Sequence, residues 1–219
     1  MRADSPSHQD EAETIDQAGQ PTGGRRRSAR RKSPKERILA GALSAMGRRG
    51  LQKVSIEDIC TAAGMSRRTL YRHFNGREEV IAGVAQHIRE QFEAELAHAI
   101  AARPDLKDRV GVVLEQLTFY SITHEDTSRL VATEMEFMRD SLVEAFDQYI
   151  EMIGLTVAPI FIDRPELAQA GLNERNLAEL IVRLAMQALM LPATASKKAV
   201  DDFCLYWDLA MKGAAAASR

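Results

Sequence analysis

Cysteine is nearly absent from this chain: its 219 residues carry two, Cys60 and Cys204, far apart and without C-x-x-C spacing. Two lone thiols build neither a disulfide scaffold nor a cysteine-rich metal centre, and a thiol-reducing compartment is the expected setting. Aromatic residues make up only 5% of a chain that is 45% hydrophobic, which suits a helical protein better than a β-rich one. No stretch approaches the ~20 uninterrupted apolar residues that span a bilayer. The most apolar run, LAELIVRLAMQALML, is broken by Glu179, Arg183 and Gln187. No apolar run follows the early charges either, so no signal peptide is expected. G-x-S-x-G, G-x-G-x-x-G and G-x-x-x-x-G-K are all missing, which removes the usual nucleophile elbow and phosphate cradles. Glu95-x-x-His98 has the spacing of helical di-iron ligands, but such sites need a second pair and none occurs. It reads as a surface pair, and no metal, cofactor or catalytic activity is expected.

Acid is the next thing lacking, and here the gap is local. Residues 59–77 contain Arg67, Arg68, Arg72, Arg77, Tyr71 and His73, and not one Asp or Glu. The formal net charge of −2 conceals a division: residues 1–24 carry net −4, residues 25–89 net +11, and residues 90–219 net −9. A basic head on an acidic body turns one end of the molecule toward a polyanion and keeps the other away.

The segment SIEDICTAAGMSRRTLYRHFNGREEV (55–80) shows how that head is built. Ser55 and Asp58 fit a capping box. Ile56, Ile59, Cys60 and Ala63 then follow at i, i+3, i+4 and i+7, and Gly64 stands where a helix end favours a left-handed residue. Met65 plugs the turn, and Ser66 can cap a second helix over 66–74. At about 100° per residue, Leu70 and Phe74 of that helix share an inward stripe. Arg68 and Arg72 lie opposite, with Arg67 and Tyr71 on one flank and Thr69 and His73 on the other. In a helix-turn-helix the second helix enters the major groove of DNA with its N-terminal residues at base edges. Arginine forks there suit guanine, while Tyr71 and His73 suit phosphate oxygens. The bland alternative is a helical hairpin whose arginines are only a solvated face. Paired caps, a glycine turn and an acid-free face together favour double-stranded DNA as the partner, and the cytoplasm and nucleoid as the location.

Upstream, residues 1–32 read as a disordered arm, acidic and then basic. RRRSARRKSPK (25–35) places seven cations in eleven residues beside the head, either tracking phosphates and the minor groove or acting as a solvated tail. Ser33 and Pro34 start a first helix with Ile38, Gly41, Ala42, Ala45 and Met46 at helical spacing, closed by Gly50. From Arg77 a strut of about 26 residues runs to Arg103-Pro104. Further helices are expected near 105–123, 126–138, 141–157, 173–191 and 196–212, with a proline-containing connection over 159–165. The total is about nine, all-α, with a head over 33–93 and a helical body over 94–219. Leu177, Leu180, Ile181 and Leu184 make one apolar face of the last pair; Phe203 and Trp207 belong to the other. These faces either finish a monomer core or meet a second copy.

The strings ERILAGALSAMGRRG (36–50), VSIEDICTAAGMS and TLYRHFNGREEV (69–80) resemble the DNA-binding domain of the tetracycline-repressor (TetR/AcrR) family of bacterial transcription regulators. The resemblance covers roughly residues 33–93. It implies that Ser55, Ser66, Arg67, Arg68, Thr69 and Arg72 lie at or near bases and the adjoining backbone, and that Tyr71, His73 and Arg77 grip phosphate. Three positions depart from the family pattern. Gly76 replaces the usual cap of the fourth helix, so Asn75 is expected to cap instead. Arg77 replaces a lysine, and Cys60 a small packing residue. The family further implies a homodimer through the last two helices, repression more often than activation, and an unknown small-molecule effector in the body. Tyr120 and Tyr149 are the foremost lining candidates, with Phe119, Met135 and Met152 beside them. A helical binder or adaptor without specific DNA binding remains the competing class.

Overall fold

The computed structural model describes residues 32–188 and 193–217. Among these are eleven α-helices, a single 3-10 turn and no strand. Of the N-terminal arm only Lys32, exposed, falls within the described residues.

Helix α1 (Pro34–Arg49) starts as its sequence dictates, with Pro34 in the first turn and Ser33 and Glu36 closing a reciprocal capping box. Ile38, Gly41, Ala42, Ala45 and Met46 are all buried along it. Helix α2 (Ile56–Ala63) carries the Ser55–Asp58 box and stops at Gly64, which takes the left-handed conformation at φ 61, ψ 42. Its stripe of Ile59, Cys60 and Ala63 is buried against α1. The two helices cross so closely at Gly41 that a Cβ there would lie 2.6 Å from the Ala63 nitrogen. Met65 packs against the core from the turn.

Helix α3 covers Arg67–Tyr71, shorter than the 66–74 expected. Leu70 and Phe74 are both buried, but the segment between them tightens: His73 N donates to Leu70 O, three residues back, at 2.9 Å. Such an i−3 bond closes a final turn where the chain must swing into the next helix. That helix, α4 (Arg77–Ala102), has the 26 residues expected of the strut and a length of about 39 Å. Its start corrects one expectation. Asn75 does not cap it; the Glu79 carboxylate reaches back instead and accepts from Asn75 N at 2.6 Å and Asn75 Nδ2 at 2.8 Å.

Val80, Val84, His87, Ile88, Phe92 and Leu96 are the buried line of α4. His87 is the surprise among them, since its Nε2 is buried without a hydrogen-bond partner. Burial, and secondarily the charge of Lys32, lower its pKa, while Glu90 and Glu36 pull weakly the other way. The folded state therefore binds the neutral ring, and the unfolded chain takes up the proton first as pH falls. Stability should be level above about pH 6.5 and decline below it. Thermal melts between pH 7.5 and 5 test this: His87→Leu should flatten the acid decline, and an unchanged decline in that variant would refute it.

The body follows: a 3-10 turn (Leu106–Asp108), then α5 (Arg109–Thr123), α6 (Glu125–Thr133), α7 (Met135–Glu144), α8 (Phe146–Asp163), α9 (Glu166–Gln169), α10 (Glu174–Ala188) and α11 (Ala193–Ala217). Breaks fall at Glu134 and Ala145, away from the expected boundaries, and Pro159 lies inside α8. Glu134 leaves helical geometry at φ −133, ψ 50, and its carboxylate accepts from Leu51 N at 2.7 Å. A tertiary hydrogen bond thus sets that break, which local periodicity cannot show. Proline in a helix interior strips a carbonyl of its donor. Nearby, Arg109 Nη1 donates to Thr156 O at 3.1 Å, so a side chain from α5 supports the perturbed turn.

The core is continuous from Ile38 in α1 through Leu114, Ile153 and Ile181 to Val200 in α11. Helix α6 closes the gap between head and body by packing on α1. Ser44 Oγ donates to Asp126 Oδ1 at 3.0 Å across that contact. Among the described residues no single helix is long and apolar enough to cross a membrane.

Candidate functional site

The exposed side of α3 is a sorted set of donors. Arg68 and Arg72 are exposed one turn apart, and Tyr71 beside them is 55% exposed. Neither guanidinium makes a hydrogen bond or ion pair, whereas every other described arginine except Arg89 has a partner. Their partnerless state is the feature that marks this face. Ser66 Oγ accepts from Thr69 N at 3.1 Å and lies 3.0 Å from Thr69 Oγ1, so both hydroxyls hold the helix start in place.

Four of the residues expected in this constellation have other employment. Arg67 is paired to Glu57 on α2 at 2.8 Å, so the acid-free stretch of sequence is not acid-free in space. Both side chains are mostly exposed, which limits the pair to about 0–1 kcal/mol and leaves Arg67 leashed rather than locked. Arg77 does not point outward. Its Nε donates to Val54 O at 2.7 Å and its Nη2 to Leu51 O, stitching the α1–α2 loop to the strut. The Ser55 hydroxyl is spent on its capping box, donating to Asp58 Oδ2 at 2.7 Å and accepting from Asp58 N at 3.1 Å. His73 is half-buried and its Nε2 is enclosed without a partner, so that nitrogen is not presented to a phosphate.

A second concave region lies in the body. Tyr120 and Tyr149 come together there, as expected, with Phe92 between them: ring centroids are 5.4 Å and 6.1 Å from Phe92. Ile88, Phe92, Met138, Leu142, Tyr149 and Val182 are among the walls of a cavity of about 80 Å³. Burial pushes both phenols up in pKa, so each stays protonated and able to donate. The Tyr120 hydroxyl reaches Ile88 O at 3.5 Å, a long contact; the Tyr149 hydroxyl has no hydrogen-bond partner among the described residues. Phe119 and Met135 do not line this cavity, and Met152 borders a separate open groove with Arg109 and Leu155. The expected grouping of five therefore reduces to the two tyrosines. Glu95 does not pair with His98 either, because His124 Nε2 sits 2.8 Å from its Oε1 and ties the strut to the α5–α6 corner.

The apolar faces of the last two helices also divide differently. Leu177 and Ile181 are buried in the chain's own core, which withdraws them from any surface; Leu184, Phe203 and Trp207 are half-buried against it. Leu180, Leu205, Tyr206 and Leu209 are more than half exposed. Sequence periodicity shows one stripe per helix and cannot tell which edge of it a neighbour already covers.

Residues 38–84 match the family described as bacterial regulatory proteins, tetR family. Over longer spans the chain is similar to the nucleoid occlusion factor SlmA of Vibrio atlanticus, 22% identical across 82% of this chain and 95% of that one. It is also similar to the HTH-type transcriptional activator FasR of Mycolicibacterium smegmatis, 26% identical across 62% of this chain and 64% of the other. The fold is shared with a crystal structure described as a tetR-family regulator from Syntrophomonas wolfei, at TM-score 0.58 and 15% identity, covering 80% of this chain and 95% of that one. The family is one of regulators rather than enzymes. The helix-turn-helix region thus matches the tetR family in sequence, and the chain as a whole shares its fold with a solved structure so described.

Proposed function

We propose that this protein is a ligand-responsive repressor that binds a palindromic operator as a homodimer, with α3 in the major groove. The observation that carries the reading is the pair of partnerless guanidiniums, Arg68 and Arg72, projecting from α3 above its buried Leu70. An exposed arginine without a carboxylate gives up no ion pair on meeting DNA, and its fork fits guanine O6 and N7. Tyr71 and Thr69 lie alongside as phosphate contacts, and Ser66 fixes the helix that presents them. Arg67 joins them only by leaving Glu57, while Ser55, His73 and Arg77 act by shaping the head.

Residues 33–93 serve as the reading head and 94–219 as the effector and dimer body. Two half-sites require two heads related by symmetry, with centres about 34–36 Å apart or a multiple of that spacing. The exposed side chains of Leu180 on α10 and of Leu205, Tyr206 and Leu209 on α11 are the surface best suited to a second copy, with Leu184, Phe203 and Trp207 half-buried on the same two helices. The cavity behind Tyr120 and Tyr149 receives the effector, and filling it favours a spacing of the heads that the operator does not match. Coupling of about 1–3 kcal/mol would alter operator affinity roughly 5–150-fold. The test is a footprint of the purified protein on the DNA upstream of its own coding region, beside sedimentation of the protein alone. One protected inverted repeat, a dimeric particle and higher transcription from that promoter on deletion are expected. Uniform protection at every sequence would overturn the reading.

A further inference from the structure

Of the three described arginines without a partner, the third stands far from the reading face. Arg89 is half-buried on α4, and neither Glu93 one turn along nor Glu144 across the opening makes an ion pair with it. None of its guanidinium nitrogens is sealed from solvent, so an unpaired fork stands open to an incoming anion. Arg89 borders a chamber of about 210 Å³ whose other walls include Ser141 and Gln148. That chamber shares Ile88, Met138, Leu142 and Tyr149 with the apolar cavity of about 80 Å³. The two are thus adjoining compartments, the outer one polar and the inner one lined by Phe92 and Val182. Tyr149, whose hydroxyl has no partner among the described residues, lines both.

We infer that the paired compartments take a small amphipathic monocarboxylate, its head on Arg89 and the Tyr149 hydroxyl and its short tail past Met138 into the inner cavity. This rests on the ligand-responsive reading above and adds the chemistry of the ligand. A carboxylate fits a guanidinium fork with two parallel hydrogen bonds. Burial keeps the Tyr149 phenol protonated, so it donates a third. Glu144, free at the same opening, disfavours a doubly charged head such as a phosphate. The tail is short because both compartments are small against the ~300–1,000 Å³ of drug-sized sites.

Calorimetry of the full-length chain with butanoate, hexanoate and octanoate, beside 1-hexanol and hexylamine, tests this. Affinity should pass through an optimum of chain length, with hexanoate at least about tenfold tighter than hexanol and hexylamine weakest. Because Arg89 holds nothing in the fold, Arg89→Gln should stay folded, bring hexanoate down to the level of hexanol, and leave hexanol unchanged. Met138→Trp should shorten the longest acid accepted. The inference fails if no acid of the series binds, if acid and alcohol of equal length bind alike, or if Arg89→Gln binds both as the parent does. Operator affinity is read separately by fluorescence anisotropy. Arg89-dependent binding with operator affinity unchanged supports the site and removes the ligand-responsive reading on which it was built.

Discussion

Replacing Gly41 with alanine is expected to destabilise the protein by about 3 kcal/mol, although the same change in an open helix usually stabilises by up to about 1 kcal/mol. The sign reverses because of what the new Cβ meets. It would lie 2.6 Å from Ala63 N and 2.8 Å from Ala63 Cα, both backbone atoms of α2. Neither can rotate away, so α1 and α2 must part, and Ile38, Met46 and Ile59 lose their packing with them. For a chain of this size the midpoint of thermal unfolding should fall by roughly 6–12 °C. Specific DNA binding should weaken as well, since α3 is positioned by the same pair of helices. Gly83→Ala is the control: its Cβ meets the Leu39 Cδ2 at 2.8 Å, the far end of a flexible side chain. A loss within about 1 kcal/mol is expected there. If Gly41→Ala melts and binds as the parent does, the close crossing of α1 and α2 is wrong.

The double change Arg68→Ala with Arg72→Ala should lower affinity for the specific operator by about 2–6 kcal/mol, from about 1–3 kcal/mol for each base-reading arginine. Affinity for unrelated duplex should fall far less, so the ratio of specific to random binding collapses. Arg67→Ala should do much less than either, because its guanidinium already rests on Glu57. Arg77→Met should act through stability, since it strips the carbonyls of Leu51 and Val54 of a charged donor in the α1–α2 loop. Such bonds contribute about 1.5–3 kcal/mol each when a charge is involved. Mobility shifts over a panel of operator variants, paired with melts of each variant, separate these outcomes. Equal losses for Arg67→Ala and Arg68→Ala would dissolve the distinction between leashed and partnerless arginines.

Much of the head was legible because its signals are local. Ser33 before Pro34, Ser55 with Asp58, and Gly64 after a four-residue stripe each concern neighbours within a turn, and each cap formed there, Ser33 adding a reciprocal bond with Glu36 that the sequence reading did not name. The strut from Arg77 to Ala102 was legible for the same reason. What escaped was set by residues distant in sequence. Arg67 meets Glu57 across a turn, and Arg77 meets Leu51 across most of the head. The break at Glu134 answers to Leu51, 83 positions earlier. Pro159 signalled an interruption to a purely local reading, yet Arg109 from α5 donates to the adjoining carbonyl of Thr156. Arg89 gave no signal at all, since a lone arginine on a helix is ordinary until its neighbours are known to ignore it. Burial of Leu177 and Ile181 likewise depended on α8 arriving against their face.

Helix α6 touches both ends of this problem. One side of it presents Thr127 and Val131 to the inner cavity. The other lays Asp126 and Arg129 against α1, where Gly47 leaves so little clearance that even a methyl would stand 3.1 Å from the Arg129 Cβ. Nine residues long, it is packed tightly on the α1 side and borders open space on the other. In the ligand-responsive reading proposed above, a ligand that displaced Thr127 or Val131 would press α6 on α1, and a tilt of α1 would carry α3 with it.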